Sequence, residues 1–311
     1  MPKQNPMTSL FQILLLRFLR SRGYADFNGL SLISNVIDSL IRDKNYPLNK
    51  RIWALSKGFY SDKLSIYDLN KENYPDYLND FEYWRLFPLN GIYNFWIENK
   101  IVFKYVLQPF WQYTPEYYFQ VYQNQIVQLM ECPTGVPSTI EGILTLLQTK
   151  QSLAAKPLDG LGGEGFVKLS CIGSEYFINN KPSSKVELER LFTSWKSSTS
   201  GYVVTEYLKP HRDIAAIWGE TPNTLRVAAY RLPEKCAEIP IAYVRIGTKA
   251  TGVVDNTHAG GLVSLIDNET GEYKEGKQYI NKRMVDCHVH PDSGTLIKGT
   301  VPYWPLITKT I

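Results

Sequence analysis

The chain has 311 residues, 34 Lys/Arg against 30 Asp/Glu, and 44% hydrophobic residues. Such a chain is long enough to bury a sizeable core, and its composition is that of a globular protein rather than a disordered one. The net charge of +4 is mild and no Lys/Arg block exceeds a pair, which argues against nucleic acid as a partner. The cysteines Cys132, Cys171, Cys236 and Cys287 are scattered without a Cys-x-x-Cys pair, so neither a zinc knuckle nor a disulfide framework is expected, and a reducing cytoplasm fits best.

In chain order, residues 1–130 read as a helical, aromatic-rich lobe with helices near 8–20, 31–42, 50–57 and 97–107. Turn signals such as Asn45-Tyr46-Pro47 and Pro88-Leu89-Asn90-Gly91 separate them. The one long apolar run, Leu10 to Leu19, contains Arg17 and is shorter than the roughly 20 residues of a spanning helix, so no transmembrane segment is expected. It also lacks a small-residue cleavage site, which argues against a secretory signal. Packing on its own domain is the simpler reading of residues 8–22. With Arg17, Arg20 and Arg22, contact with a membrane surface is the alternative.

Residues 131–208 read as a compact α+β module. A helix over Ser138–Gln148 opens with a capping box of Ser138 and Glu141. Strands follow at Leu153–Lys156, Phe166–Ile172 and Glu175–Ile178, then a polar helix near Lys185–Trp195 and a strand at Tyr202–Tyr207. Residues 209–311 form a third, strand-rich segment with Thr224–Tyr230, Ile241–Gly247 and Gly261–Asp267 between Gly, Asn and Pro turns.

The chemical signal lies in the second segment. Lys156 precedes a loop with Gly160, Gly162, Gly163 and Gly165, a backbone bare enough to press its N–H groups against phosphate oxygens. The spacing satisfies G-x-G-x-x-G, but a strand pattern follows where a dinucleotide-binding unit needs a helix. It also satisfies the glycine loop of protein kinases, and His211-Arg212-Asp213 imitates their catalytic loop. Trp218 stands where the metal-binding Asn belongs, however, no Asp-Phe-Gly follows, and the lysine is on the wrong side of the loop. What remains is strand, lysine, glycine lid and returning strand closing over a triphosphate, or a plain glycine-rich hairpin.

Ala155-Lys156-Pro157-Leu158 with its glycine loop, followed by Val204-Thr205-Glu206-Tyr207-Leu208, resembles the ATP-grasp superfamily, and more closely its sugar-transfer-associated branch. Further matching stretches are Gly58-Phe59-Tyr60, Asn223-Thr224-Leu225-Arg226-Val227, Asp255-Asn256 with His258, His290-Pro291-Asp292 and Val301-Pro302-Tyr303-Trp304. The resemblance implies an α+β ATP-grasp architecture: a helical N-terminal lobe, a small lid subdomain and a strand-rich C-terminal lobe that reads as incomplete. It implies ATP and Mg²⁺ as cofactors. Lys156 and Arg226 would serve catalysis, with Lys156, Gly160, Gly162, Gly163 and Gly165 on the phosphates. Glu206, Tyr207, Leu208, His211 and Asn223 would also contact the nucleotide, and Asp255, Asn256 and His258 the substrate. Ordinary structural roles compete at several of these: an ion pair for Glu206, an exposed strand arginine for Arg226, turn formation for Asp255 and Asn256.

His288 and His290, two apart beside Asp292, invite a metal reading, with an ordinary strand as the simpler one. The family's late Glu-x-Asn metal pattern is not found in the last fifty residues, so the metal ligands have no assigned positions. The activity implied is ATP-dependent carboxylate–amine ligation through an acyl phosphate, acting on a carboxylate small molecule or sugar acid of surface polysaccharide. Non-catalytic nucleotide binding or scaffolding and a small-molecule kinase are the alternatives.

Overall fold

The computed structural model describes residues 6–311 except 88, 161, 199, 200 and 282, and the side chains before Leu14 and those of Asp26, Phe27 and Ile92 are also outside the described ones. Pro88 of the turn motif and Leu161, between Gly160 and Gly162 of the glycine loop, therefore lie outside the described residues. The chain forms a mixed α+β fold with a helical N-terminal region and two antiparallel sheets. It divides into two compact units, one up to Asn94 with Ile280–Met284 and one of Phe95–Tyr279 with Val285–Ile311.

The first unit holds α1 (Pro6–Ser21), α2 (Asp26–Ile37), α3 (Leu48–Ser56), α4 (Lys63–Ile66) and α5 (Asp80–Leu86). Its apolar positions gather in two small clusters, Leu19, Leu32 and Tyr60 in one and Ala54, Phe59 and Leu69 in the other. Buried polar groups tie the turns: Tyr60 N donates to the Asp80 carboxylate at 2.8 Å, and Ser61 Oγ donates to that of Asp43 at 2.5 Å. Leu14 and Phe18 of α1 are exposed while Leu19 is buried. Among the described residues no helix is long and apolar enough to cross a membrane.

At the sequence level 97–107 reads as one helix, but two form: α6 (Asn94–Glu98) and α7 (Lys100–Val106). Asn99 separates them because its side chain accepts from Ile101 N and Val102 N and so caps α7. A hairpin of β1 (Tyr117–Tyr122) and β2 (Gln125–Gln128) follows, within the stretch read as helical.

Next come α8 (Ile140–Lys150), β3 (Ser152–Pro157), β4 (Val167–Ile172), β5 (Glu175–Ile178), β6 (Lys181–Ser183), α9 (Lys185–Ser197) and β7 (Tyr202–Glu206). The cap of α8 is Thr139, not Ser138. Thr139 Oγ accepts from Gly142 N, which puts Glu141 one position too early to close the expected box. The first sheet runs β2-β1-β7-β3-β4-β5-β6. One face packs with α8 and α9 in the main core, which includes Leu144, Leu147, Leu153, Ala155, Leu169, Phe192 and Val204.

The second sheet is built from β8 (Leu225–Tyr230), β9 (Glu238–Ile246), β10 (Leu262–Ile266), β11 (Glu272–Lys274), β12 (Gly276–Ile280), β13 (Arg283–Cys287) and β14 (Lys298–Thr300). The order β13-β12-β10-β11-β14 is joined by β9 on β10 and β8 on β9. With α10 (Arg212–Ala215) and α11 (Trp304–Thr310) nearby in sequence, Ile214, Val244, Ile246, Leu262, Ile266 and Trp304 make its core.

His290 belongs to this scaffold rather than to a metal site. It is fully buried, stacks on Trp218, and its Nε2 meets the Gly247 carbonyl at 2.8 Å. Nδ1 accepts from the amides of Asp292 and Ser293, so both ring nitrogens are committed. The Asp292 carboxylate is taken by Lys249 N at 2.7 Å.

Candidate functional site

Strand alternation decides what faces the space beside each sheet. In β3, Leu153 and Ala155 turn into the main core, so Ala154 and Lys156 face the other way; in β4, Leu169 and Cys171 turn inward and Lys168 and Ser170 outward. In β8, Leu225 and Val227 pack on the second core, leaving Arg226 on the opposite face. In β9, Ala242, Val244 and Ile246 pack inward and Tyr243 and Arg245 outward. Of these outward-facing residues Ala154, Lys156, Arg226 and Arg245 line a cavity of about 460 Å³, within the range of small-molecule sites.

Its walls include Lys156, Gly160, Gly162 and Gly163 from the glycine loop, Glu206, Tyr207 and Leu208 from the end of β7, Arg226 and Arg245, and Asp255 and Asn256. A neighbouring cavity, also about 460 Å³ and lined by Lys168, Ser170 and Lys209, shares Tyr207 with it. Sites expected from sequence thus converge here. Four do not line either cavity. Gly165 packs its α-carbon against Pro157 at the base of the loop, where a methyl would come within 2.6 Å. His211 caps α10, its Nδ1 accepting from Asp213 N at 3.3 Å. Asn223 is buried, its carboxamide bonded to Trp218 O, Thr221 Oγ and Gly247 N. His258 lies against Tyr279.

The glycine loop leaves β3 and returns as β4, a hairpin rather than a strand-to-helix turn. Gly162, Gly163 and Gly165 have φ of 64°, 80° and 71°, a region costly for other residues. The loop closes with Phe166 N donating to Gly163 O at 3.2 Å. The loop is pinned at both ends. Lys100 Nζ donates to Gly160 O at 2.8 Å and Asn99 Nδ2 to the Asp159 carboxylate at 2.9 Å. On the far side Asn256 Nδ2 donates to Gly162 O at 2.7 Å, while its Oδ1 accepts from His258 N.

Sequence reasoning missed Lys100 and Arg245. For Lys100 the available signal was Asn99, a helix-capping residue placing the lysine at the start of α7. For Arg245 it was the alternation Val244-Arg245-Ile246, the same argument that singles out Arg226.

Lys156 has no hydrogen-bond acceptor among the described residues. Burial, with Lys100 nearby as a second cause, pulls its ammonium down to about 8. Burial lowers Lys100 too, opposed by Asp159. A half-buried, unpaired cation beside another is a place for an anion, and the arriving charge would restore the proton. Binding of an anion here is therefore expected to weaken by roughly tenfold from pH 7 to pH 9, as Lys156 deprotonates through its free-state value. Calorimetric titration across that range checks it, and the Lys156→Met variant should lose the slope.

The acidic side chains of the cavity are otherwise engaged. Asp255 Oδ2 accepts from Thr224 N and Oγ1, both at 2.6 Å, and its Oδ1 pairs with Arg245 at 3.0 Å. Glu206 Oε2 accepts from Glu116 N at 3.2 Å. Among the described residues no group of three or more His, Cys, Asp or Glu could hold a metal ion.

No curated protein and no solved structure matches the chain. The family model described as sugar-transfer associated ATP-grasp matches residues 88–311, a span containing the glycine loop, both sheets and every residue of the cavity. ATP binding follows from that match, and the chain belongs to the sugar-transfer associated ATP-grasp family.

Proposed function

We propose that the chain is an ATP-dependent carboxylate–amine ligase whose acyl substrate is a sugar acid or amino acid. The observation that carries the reading is Lys156, half-buried without a hydrogen-bond partner among the described residues at the foot of the glycine loop, in a cavity that also presents Arg226. The triphosphate lies under the glycine loop between Lys156 and Lys100, with the base where the two cavities meet at Tyr207. A carboxylate oxygen attacks the γ-phosphorus, the bond to the ADP oxygen breaks, and ADP leaves. An amine then attacks the acyl carbon, loses a proton, and phosphate departs to leave the amide. Arg226 stabilises charge on the phosphoryl group in flight, and the loop amides exclude water from it.

The test supplies ATP, a panel of hexuronates and amino acids, and hydroxylamine as the amine. ADP formed together with a hydroxamate supports ligation, whereas ADP with a phosphorylated hydroxyl and no hydroxamate assigns a kinase. A second reading, nucleotide binding without turnover, is favoured by the engagement of Asp255 and Glu206, which leaves the cavity short of metal-binding carboxylates. Bound ATP with no ADP across the whole panel would select it.

A further inference from the structure

The N-terminal helical unit carries a cavity of its own, about 470 Å³, lined by Tyr46, Asn49, Lys50, Trp53 and Lys71 around a floor that includes Leu69. It lies outside the residues 88–311 that the family model matches. Asn49, Lys50 and Trp53 come from one side of α3, four and three residues apart, so their side chains project together. Trp53 is half-buried in the Ala54–Phe59–Leu69 cluster and held edge-on by Tyr74 at 6.2 Å. The guanidinium of Arg283 holds Tyr46 at 5.0 Å from its ring.

The opposite rim is built, not draped. Asn70 Oδ1 accepts from Glu72 N and Asn73 N, Asn73 Oδ1 accepts from Asn70 N, and Asn73 Nδ2 donates to Tyr67 O and Asp68 O. These bonds fix the turn that presents Lys71. Neither Lys50 nor Lys71 is ion-paired among the described residues, and no carboxylate lines the cavity.

We infer that this cavity binds an anionic carbohydrate, specifically a hexuronate residue. The apolar face of a pyranose ring suits the indole and phenol rings, the Asn49 amide nitrogen suits a hydroxyl while its oxygen accepts from Lys50 N at 2.9 Å, and two free ammonium groups suit the carboxylate. The volume accommodates one or two sugar rings. A purely apolar ligand would leave two ammonium groups without a partner, and a simple anion would leave the aromatic walls unused. The inference stands apart from the ligase reading, because it concerns a different unit and a different set of residues.

The test is calorimetric titration of the full chain with methyl β-D-glucuronide and its disaccharide, with methyl β-D-glucoside, acetate and inorganic phosphate as probes of each half of the chemistry. Saturable glucuronide binding is expected, at least tenfold tighter than the glucoside or acetate. It should fall about tenfold in the K50Q/K71Q double variant, whose exposed side chains leave the fold intact, with ATP binding unchanged. A Trp53→Phe variant, which keeps an aromatic wall, should weaken it less. Absence of glucuronide binding, equal binding of glucoside, acetate or phosphate, or an unaffected K50Q/K71Q variant would overturn the assignment.

Discussion

Replacing Lys156 with methionine is expected to weaken ATP binding by about a hundredfold, while raising the stability of the empty protein. The two effects come from one cause. Burial holds the folded-state value of this lysine at about 8, below that of the unfolded chain. A group depressed in this way binds more protons when unfolded, so the folded state bears its penalty in full below pH 8 and sheds it as pH rises towards the unfolded value. Methionine fills similar space without the charge and removes the penalty at neutral pH. Thermal unfolding of the variant should therefore shift upward as calorimetry shows ATP binding lost. A variant that lost both would have failed to fold, and one that lost neither would remove Lys156 from the site.

Asp255→Ala is expected to act on the scaffold instead, costing about 3 kcal/mol of unfolding free energy. Its carboxylate is buried and takes Thr224 N, Thr224 Oγ1 and Arg245 together, joining the start of β8 to β9 at the cavity wall. Without it Arg245 remains in the wall uncompensated, and Arg226, one strand position beyond Leu225, loses the register that aims it. Denaturant unfolding measures the stability loss. A loss below 1 kcal/mol would mean that the carboxylate is exchangeable with solvent and free for substrate.

The elements around the glycine loop were legible because their chemistry is local. Alternating apolar residues mark β4, short runs of small or β-branched residues before turn signals mark β3 and β7, and glycines at positive φ mark the loop. The hairpin of β1 and β2 was not. Tyr118, Phe119 and Val121 are all fully buried, so the strand shows little alternation, and its turn uses Gln123 and Asn124 at φ of 47° and 61° without the glycine that would announce it. The same contrast runs through the site. Lys156 and Arg226 could be placed by strand parity, whereas Lys100 gains its role only when α7 docks beside residues nearly sixty positions away. Asn223 and His211 read as ligand residues because polar side chains serve binding and local structure alike; here the backbone uses them, Asn223 at φ 51° and His211 as a cap. Asn256 is engaged in both ways, capping the turn at His258 and reaching across to Gly162 O.

The central claim is that ATP lies beneath the glycine loop, between the open faces of the two sheets. Hydrogen exchange of the full chain with and without saturating ATP tests it most directly. The account predicts slowed exchange of amides at 160–166, at 206–208 and at 253–256, with the Lys156→Met variant showing none of it at the same nucleotide concentration. Protection confined to other segments, or none at these three when ATP is bound, would contradict it.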